Sequence, residues 1–270
     1  MTLNVVKGKF MWAKLTKREQ LTDDLWKMWL QPEEKFDFKP GQYCTIGTGG
    51  IERAYSIASS PDEDQIELFV ELVPPPDGNL TPLLNDLKVG EAVTIRPRAK
   101  GIFVMKPDFK NHVMVGTVTG IAPYVSMLRK HLSDPNLKES NFYVLEGASY
   151  LDEFGYDEEL NKFASDNQNV LFESSVSRPG EERNSSWNGL EGRVNNLVEE
   201  RMSDWGIKPS ETIVYACGHP GMIEDIKEKL EGTEFTLSLI HISEPTRRTP
   251  MSYAVFCLEK KRGGGGGGGG

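Results

Sequence analysis

The chain has 270 residues and carries 40 acidic against 31 basic side chains, a formal net charge of −9. That balance argues against a general nucleic-acid binder, whose phosphate contacts need Lys and Arg, and no apolar run is long enough to cross a bilayer. Its three cysteines are too far apart to build a metal or iron–sulfur cluster, and the opening Met1-Thr2-Leu3-Asn4 begins no signal peptide, so a cytoplasmic protein in a reducing compartment is expected.

Up to about residue 105 the chain reads as short strands. Residues 66–73 are rich in strand formers and mix polar with apolar positions at period two. Turn clusters punctuate this half: Pro40-Gly41, residues 47–50, Ser59-Ser60-Pro61-Asp62 and Pro74-Pro75-Pro76-Asp77-Gly78. Strands at such spacing predict a small antiparallel barrel over residues 1–105. After Lys106-Pro107-Asp108 the pattern changes to strand, loop, helix, repeated. Strands are expected at 113–115, 142–145, 170–172 and 213–216. Helices are expected from Pro123, near 157–164, over 194–202 and after Pro220. That alternation predicts a parallel sheet covered by helices over residues 106–236.

The last 34 residues do not follow this grammar. Residues 237–247 (LSLIHISEPTR) resemble the translation of an adapter used in DNA sequencing, and residues 252–258 (SYAVFCL) match the segment that follows it. A natural strand with a flexible glycine linker leaves that match unexplained. Residues 237–270 are therefore expected to be unstructured or unnatural, with the natural chain breaking off near Thr236. Cys257 goes with them, leaving Cys44 and Cys217.

Three segments carry chemistry. Arg53-Ala54-Tyr55-Ser56 offers a guanidinium for phosphate, an aromatic platform and a hydroxyl on one strand. Alone it reads sooner as an ordinary strand with a surface Arg and a half-buried Tyr. Gly116-Thr117-Val118-Thr119-Gly120-Ile121-Ala122-Pro123 lies where a parallel strand gives way to a helix, the place where backbone N–H groups receive a dinucleotide's phosphates. The bland alternative is a tight strand-to-helix turn. Cys217-Gly218-His219-Pro220-Gly221-Met222 ends the last apolar strand, where glycines let a flat ring approach the backbone. Cys217 reads otherwise as a small buried hydrophobe, the commoner fate of a free cysteine, and His219 is assigned no role.

In this order and spacing the three segments resemble the R-x-Y-S, G-T-x-T-G-x-A-P and C-G-x-P-x-M signatures of the ferredoxin–NADP⁺ reductase family. Supporting pieces are Pro40-Gly41-Gln42-Tyr43, Gly78-Asn79-Leu80-Thr81, Tyr156-Asp157-Glu158-Glu159-Leu160, Ser177-Arg178 and Gly192-Arg193-Val194. The resemblance spans about residues 5 to 232. It implies a six-stranded antiparallel β-barrel for FAD followed by a Rossmann-like α/β domain for NADP, with NAD possible as the donor.

Carried over residue by residue, it implies that Arg53 holds the FAD pyrophosphate. Tyr55 and Ala54 would lie along the flavin, with Ser56 near flavin N5. Phe69, Val70 and Glu71 would line the flavin; Asn79, Leu80 and Thr81 would take FAD phosphates. Thr117 would sit between the two cofactors. Gly116, Thr119 and Gly120 would contact NADP, as would Ala148 and Ser149. Ser177, Arg178 and Arg193 would grip its adenosine end, and Cys217 and Gly218 would face the nicotinamide with Met222 supporting their loop. Ser56 and Cys217 are the expected catalytic pair.

Two departures stand out. Val118 replaces a third glycine, and Ser149 replaces an arginine that relatives use for the 2′-phosphate. The implied partner is ferredoxin or flavodoxin, met by a monomer. Arg96, Arg98 and Lys100, at alternating positions, are expected to share one strand face as a docking patch or a solvated row. The alternatives are a free-flavin reductase, the reductase component of an oxygenase, and a non-catalytic electron-transfer subunit.

Overall fold

The computed structural model describes residues 10–134 and 140–241. The first half forms one antiparallel sheet from β1 (Met11–Gln20), β2 (Leu25–Pro32), β3 (Tyr43–Thr48), β4 (Ile51–Ser56), β5 (Ile66–Glu71) and β6 (Ala92–Ile95), in the order β4-β3-β6-β1-β2-β5. Its two edges meet through an Ile57–Leu68 bridge and an Ala58 N–H to Glu67 carbonyl bond of 2.9 Å, which close the sheet towards a barrel. A register shift between Leu15 and Lys17 bends β1 to allow that closure. Alternate residues Trp26, Met28 and Leu30 of β2 and Ile66, Leu68 and Val70 of β5 fill the interior, as period two places them on one face, while Glu67 and Phe69 on the other face of β5 are buried too. Helix α1 (Thr81–Asp86) plugs this core with Leu84.

The second half forms a parallel sheet in which every adjacent pair runs the same way. Its strands are β7 (Asn111–Thr117), β8 (Asn141–Ala148), β9 (Val170–Val176), β10 (Leu190–Glu191), β11 (Thr212–Gly218) and β12 (Thr236–His241), in the order β10-β9-β8-β7-β11-β12. Helices cover both faces. On one side α2 (Ala122–Ser133) and α3 (Asp157–Asp166) pack on Met114, Phe142, Val144 and Tyr215. On the other, α4 (Val194–Asp204) and α5 (Pro220–Leu230) pack on Val113, Val115, Leu145 and Val214. The order reverses at β7, with β8 on one side and β11 on the other. That switch point is where open α/β sheets leave a crevice at the strand carboxyl ends.

Residues 237–241 are the part of the expected foreign tail that lies among the described residues. They are structured: β12 lies parallel to β11 from Ile213↔Thr236 to Gly218↔His241, with Leu239 and Ile240 buried on opposite faces. An apolar run following a helix meets the geometric needs of an edge strand whatever its origin. The rest of the expected foreign tail, residues 242–270, lies outside the described residues. Among the described residues no helix is long and apolar enough to cross a membrane.

Candidate dinucleotide and flavin site

The carboxyl ends of β7 and β11 lie side by side, Gly116 opposite Cys217. Two glycines let the turns that follow them interlock. A Cβ at Gly120 would fall 2.2 Å from the Cys217 carbonyl oxygen, and one at Gly218, where φ is +133°, would fall 2.1 Å from Thr117 Oγ1. The Thr117 hydroxyl in turn accepts the His219 N–H at 2.8 Å, tying one turn to the other. Behind them Gly116 leaves room for the Tyr124 ring, 3.2 Å from where its Cβ would stand. Tyr124 donates to the Val115 carbonyl at 2.9 Å and fixes α2 against β7. The N-terminus of α2, with Pro123 in its first turn, follows directly on the Val118–Ile121 turn, a strand-to-helix passage of the kind suited to phosphate.

Val118 sits in the middle of the first turn with φ at +46°. A β-branched residue is strained there by about 1–2 kcal/mol. Its side chain packs with Ala148, Phe154, Val176 and Trp187, which offsets part of that strain. Glycine normally ranks below alanine in stability, yet at this position the order should invert. Val118→Gly is expected to melt above Val118→Ala, by the equivalent of about 1 kcal/mol. Calorimetry that found the alanine variant more stable would mean that the backbone is unstrained.

The ends of β8 and β9 form the adjoining part of the crevice. Ser177 N–H donates to the Ala148 carbonyl at 2.9 Å. The intervening loop is organised by Asn184, buried to 2 % exposure. It donates to the carbonyls of Ser149 (3.0 Å) and Arg178 (2.9 Å) and accepts from Leu151 N–H (2.9 Å). This brings Arg178 to the Tyr150 hydroxyl at 2.8 Å and places Arg183 over the Tyr150 ring at 4.2 Å. Arg183 is held in a two-pronged ion pair with Asp152 (2.9 and 2.7 Å). Neither Tyr150, Arg183 nor Asn184 belongs to a motif read from the sequence. Ser149 lacks a guanidinium, and the Arg183 guanidinium over the neighbouring Tyr150 ring is already paired to Asp152. Arg193 is exposed at the N-cap position of α4, and Met222, in the first turn of α5, is buried on the face of the sheet that carries Val113 and Val214.

Cys217 itself is fully buried beside Tyr124 and Tyr215. Burial holds its thiol protonated, with its pKa well above the ordinary range. What the residue presents to the Gly120 turn is its backbone carbonyl.

On the barrel, β4 pairs with β3, Arg53 opposite Ile46 and Tyr55 opposite Cys44. Arg53 and Tyr55 therefore share one face and Ser56 the other, with Ala54. All four are half-buried. Three of the other residues expected at the flavin have their side chains committed elsewhere. Val70 and Leu80 have no exposed surface and fill the barrel core, so they could touch a cofactor only through their backbone. The Thr81 hydroxyl accepts from Val73 N–H at 3.0 Å and donates to its carbonyl at 3.1 Å, clamping the 73–81 loop. Phe69 meets Tyr156 edge-on at 5.7 Å, while Glu71 and Asn79 remain exposed.

The docking patch is corrected too. β6 ends at Ile95, because Pro97 cannot extend the ladder. Arg96 is paired to Glu52 at 2.5 Å, Arg98 is exposed in a bend, and Lys100 is exposed where its backbone bridges Tyr43.

The donor set fits both cofactors. One cation, one aromatic ring and one hydroxyl on β4 suit a flavin nucleotide, and the glycine turns at the carboxyl ends of β7 and β11 present backbone of the kind that receives a dinucleotide. β5 lies against the Val118–Ile121 turn, and Ala58, two residues past Ser56, shares a continuous core with Cys217.

Comparison with known proteins agrees. Residues 12–101 match the oxidoreductase FAD-binding domain and residues 114–228 the oxidoreductase NAD-binding domain. A flavodoxin/ferredoxin–NADP reductase of Shigella flexneri is 30% identical over 224 residues, covering 79% of this chain and 86% of its own. The reductase component of propane 2-monooxygenase from Mycolicibacterium goodii is 29% identical over 214 residues, 76% of this chain and 59% of its own. A ferredoxin NADP⁺ reductase from Neisseria gonorrhoeae, solved with bound FAD and NADP, superposes with a TM-score of 0.74 at 22% identity, covering 87% of this chain and 99% of its own.

Proposed function

Because this chain belongs to the ferredoxin–NADP⁺ reductase family of NADP-dependent flavoprotein oxidoreductases, we propose that it exchanges electrons between NADP(H) and ferredoxin or flavodoxin. Its cofactors are FAD and NADP. The observation that best supports this reading is the packing of the nucleotide turn, Val118–Ile121, against the barrel strand β5, which brings the two cofactor-binding elements into contact. Bound FAD supplies hydride acceptance from nicotinamide and release of the electrons one at a time.

The chain's own residues bind and orient. Arg53 holds a pyrophosphate, with Tyr55 as an aromatic wall. The Ser56 hydroxyl lies on the opposite face of β4 and hydrogen-bonds the reacting edge of the flavin. The interlocked Thr117 and Gly218 turns receive the nicotinamide. Arg178 and Arg193 grip the 2′-phosphate, and Arg183 stiffens the loop through its pairing with Asp152. Lys106-Pro107-Asp108 serves as the boundary between the two halves.

Mixing the yellow holoprotein anaerobically with NADPH should bleach its flavin absorbance, and Ser56→Ala should slow that bleaching at least tenfold while FAD content is unchanged. Equal rates in the two proteins would remove Ser56 from the mechanism. A second reading, the reductase component of an oxygenase, is favoured by the Mycolicibacterium relative. The acceptor that turns over fastest, ferredoxin, flavodoxin or an oxygenase iron–sulfur protein, decides between them.

A further inference from the structure

The helix that starts at the nucleotide turn is also bolted to the strand that carries Ser56. One turn into α2, the Ser126 hydroxyl donates to the Ser59 carbonyl at 2.7 Å. Nearly one turn further, Arg129 Nη1 reaches Glu67 Oε2 at 2.6 Å and the Ala58 carbonyl at 3.3 Å. Ala58 and Ser59 are the second and third residues past Ser56.

The remaining guanidinium nitrogens fork onto Glu159 of α3 at 2.7 and 2.8 Å. The other oxygen of Glu67 accepts the Tyr156 hydroxyl at 2.8 Å. Glu67 is only 3% exposed at its side chain. Burial works against the Arg129 charge, and Glu159 and Glu67 overcome it.

Contacts from β5, from the 57–60 segment and from α3 therefore converge on one guanidinium. They over-determine both the distance and the rotation of α2 relative to the barrel. A catalytic constellation needs its parts held to within roughly 0.5 Å, and a displacement of about 1 Å costs on the order of a hundredfold in rate.

We propose that Glu67, Arg129 and Tyr156 are positioning residues that set how closely the nucleotide turn approaches the strand bearing Ser56. They do so without touching either nucleotide. The inference rests on the oxidoreductase reading given above. It predicts loss of rate without loss of binding.

Glu67→Gln and Tyr156→Phe in the full chain test it. The first removes the charge. The second removes one hydroxyl and keeps the ring against Phe69, so it serves if the first does not fold. FAD per chain and the NADP⁺ dissociation constant should stay within about twofold, while anaerobic flavin bleaching by NADPH slows about tenfold or more. Amide exchange over residues 122–133 should quicken in the same variants. The double variant should be no slower than the slower single, as expected of groups acting as one unit.

A folded Tyr156→Phe that bleaches at the parent rate, with only its melting point lowered, would reduce the cluster to a structural ion pair and overturn the proposal. Failure of the parent protein itself to bleach would count against the oxidoreductase reading instead. Amide exchange would still judge the clamp in that case, because unchanged protection of residues 122–133 in Tyr156→Phe overturns it independently.

Discussion

Glu146→Met should raise the melting temperature by roughly 4–8 °C at pH 8.5 and by less at pH 5. Glu146 lies on β8 between Gly116 and Ser174 in register, on the face that carries Phe142 and Val144. It is completely buried, and neither carboxyl oxygen has a hydrogen-bond partner among the described residues. Burial first, and the negative Asp157 second, push its pKa well above the usual 4.5. The folded protein therefore prefers the protonated acid. The unfolded chain ionises near the ordinary value and gains the hydration of the charge. Stability contributed by this group is fully present below about pH 4.5 and is lost as pH rises towards the raised folded value, by about 1.4 kcal/mol per pH unit across that window. Methionine keeps the volume and has no charge to desolvate. Replacing an unsatisfied buried polar group by an apolar one is worth about 1–3 kcal/mol, or a few degrees for a chain of this size. Thermal melts of both proteins from pH 5 to 8.5 measure it. A melting-point difference that does not vary with pH would mean that the carboxyl is not titrating in a buried site.

What could be read in advance follows from how local the cause is. The strands at 66–71 and 111–117 and the helix from Pro123 are set by period, β-branched residues and proline, all visible within a dozen residues. Glu146 itself had a local signal, a lone acid in the apolar stretch Tyr143-Val144-Leu145 before Gly147. The Thr81 clamp had none, because nothing nearby says that its hydroxyl closes on Val73 rather than on a phosphate. Asn184 and Arg183 became visible only once the loop folded back on Ser149 and Tyr150. The Glu67–Arg129–Tyr156 cluster joins residues 62 and 89 positions apart, which no windowed pattern connects. Strand β12 shows the converse limit. A residue pattern reports what a segment can pair with, and the adapter-like residues 237–241 have the apolar pattern that β11 accepts.

Gly120→Ala is expected to abolish measurable NADP⁺ binding and to destabilise the protein by about 2–4 kcal/mol, whereas Gly180→Ala should change neither. The two glycines differ in what surrounds them. At Gly180 an added methyl meets nothing within 4 Å, and its φ is ordinary. At Gly120 the methyl would stand 2.2 Å from the Cys217 carbonyl oxygen and 2.8 Å from Gly218 Cα. These are backbone atoms of β11, which is hydrogen-bonded on both sides by β7 and β12, so no rotamer change can clear them. The turn must instead lift away from β11. Lifting breaks the 2.8 Å bond from His219 N–H to Thr117 and separates the two turns on which the nucleotide is proposed to rest. Overpacking of this kind costs about 1–3 kcal/mol in a well-packed core, and the lost hydrogen bond adds about 1 kcal/mol. Because the strain falls on the Thr117 and Cys217 turns and leaves β4 alone, FAD content should survive the substitution while NADP⁺ difference spectra vanish. Loss of both cofactors together would mean that the two sites are not separable in this way, and unimpaired NADP⁺ binding would show that the nucleotide does not rest on these turns.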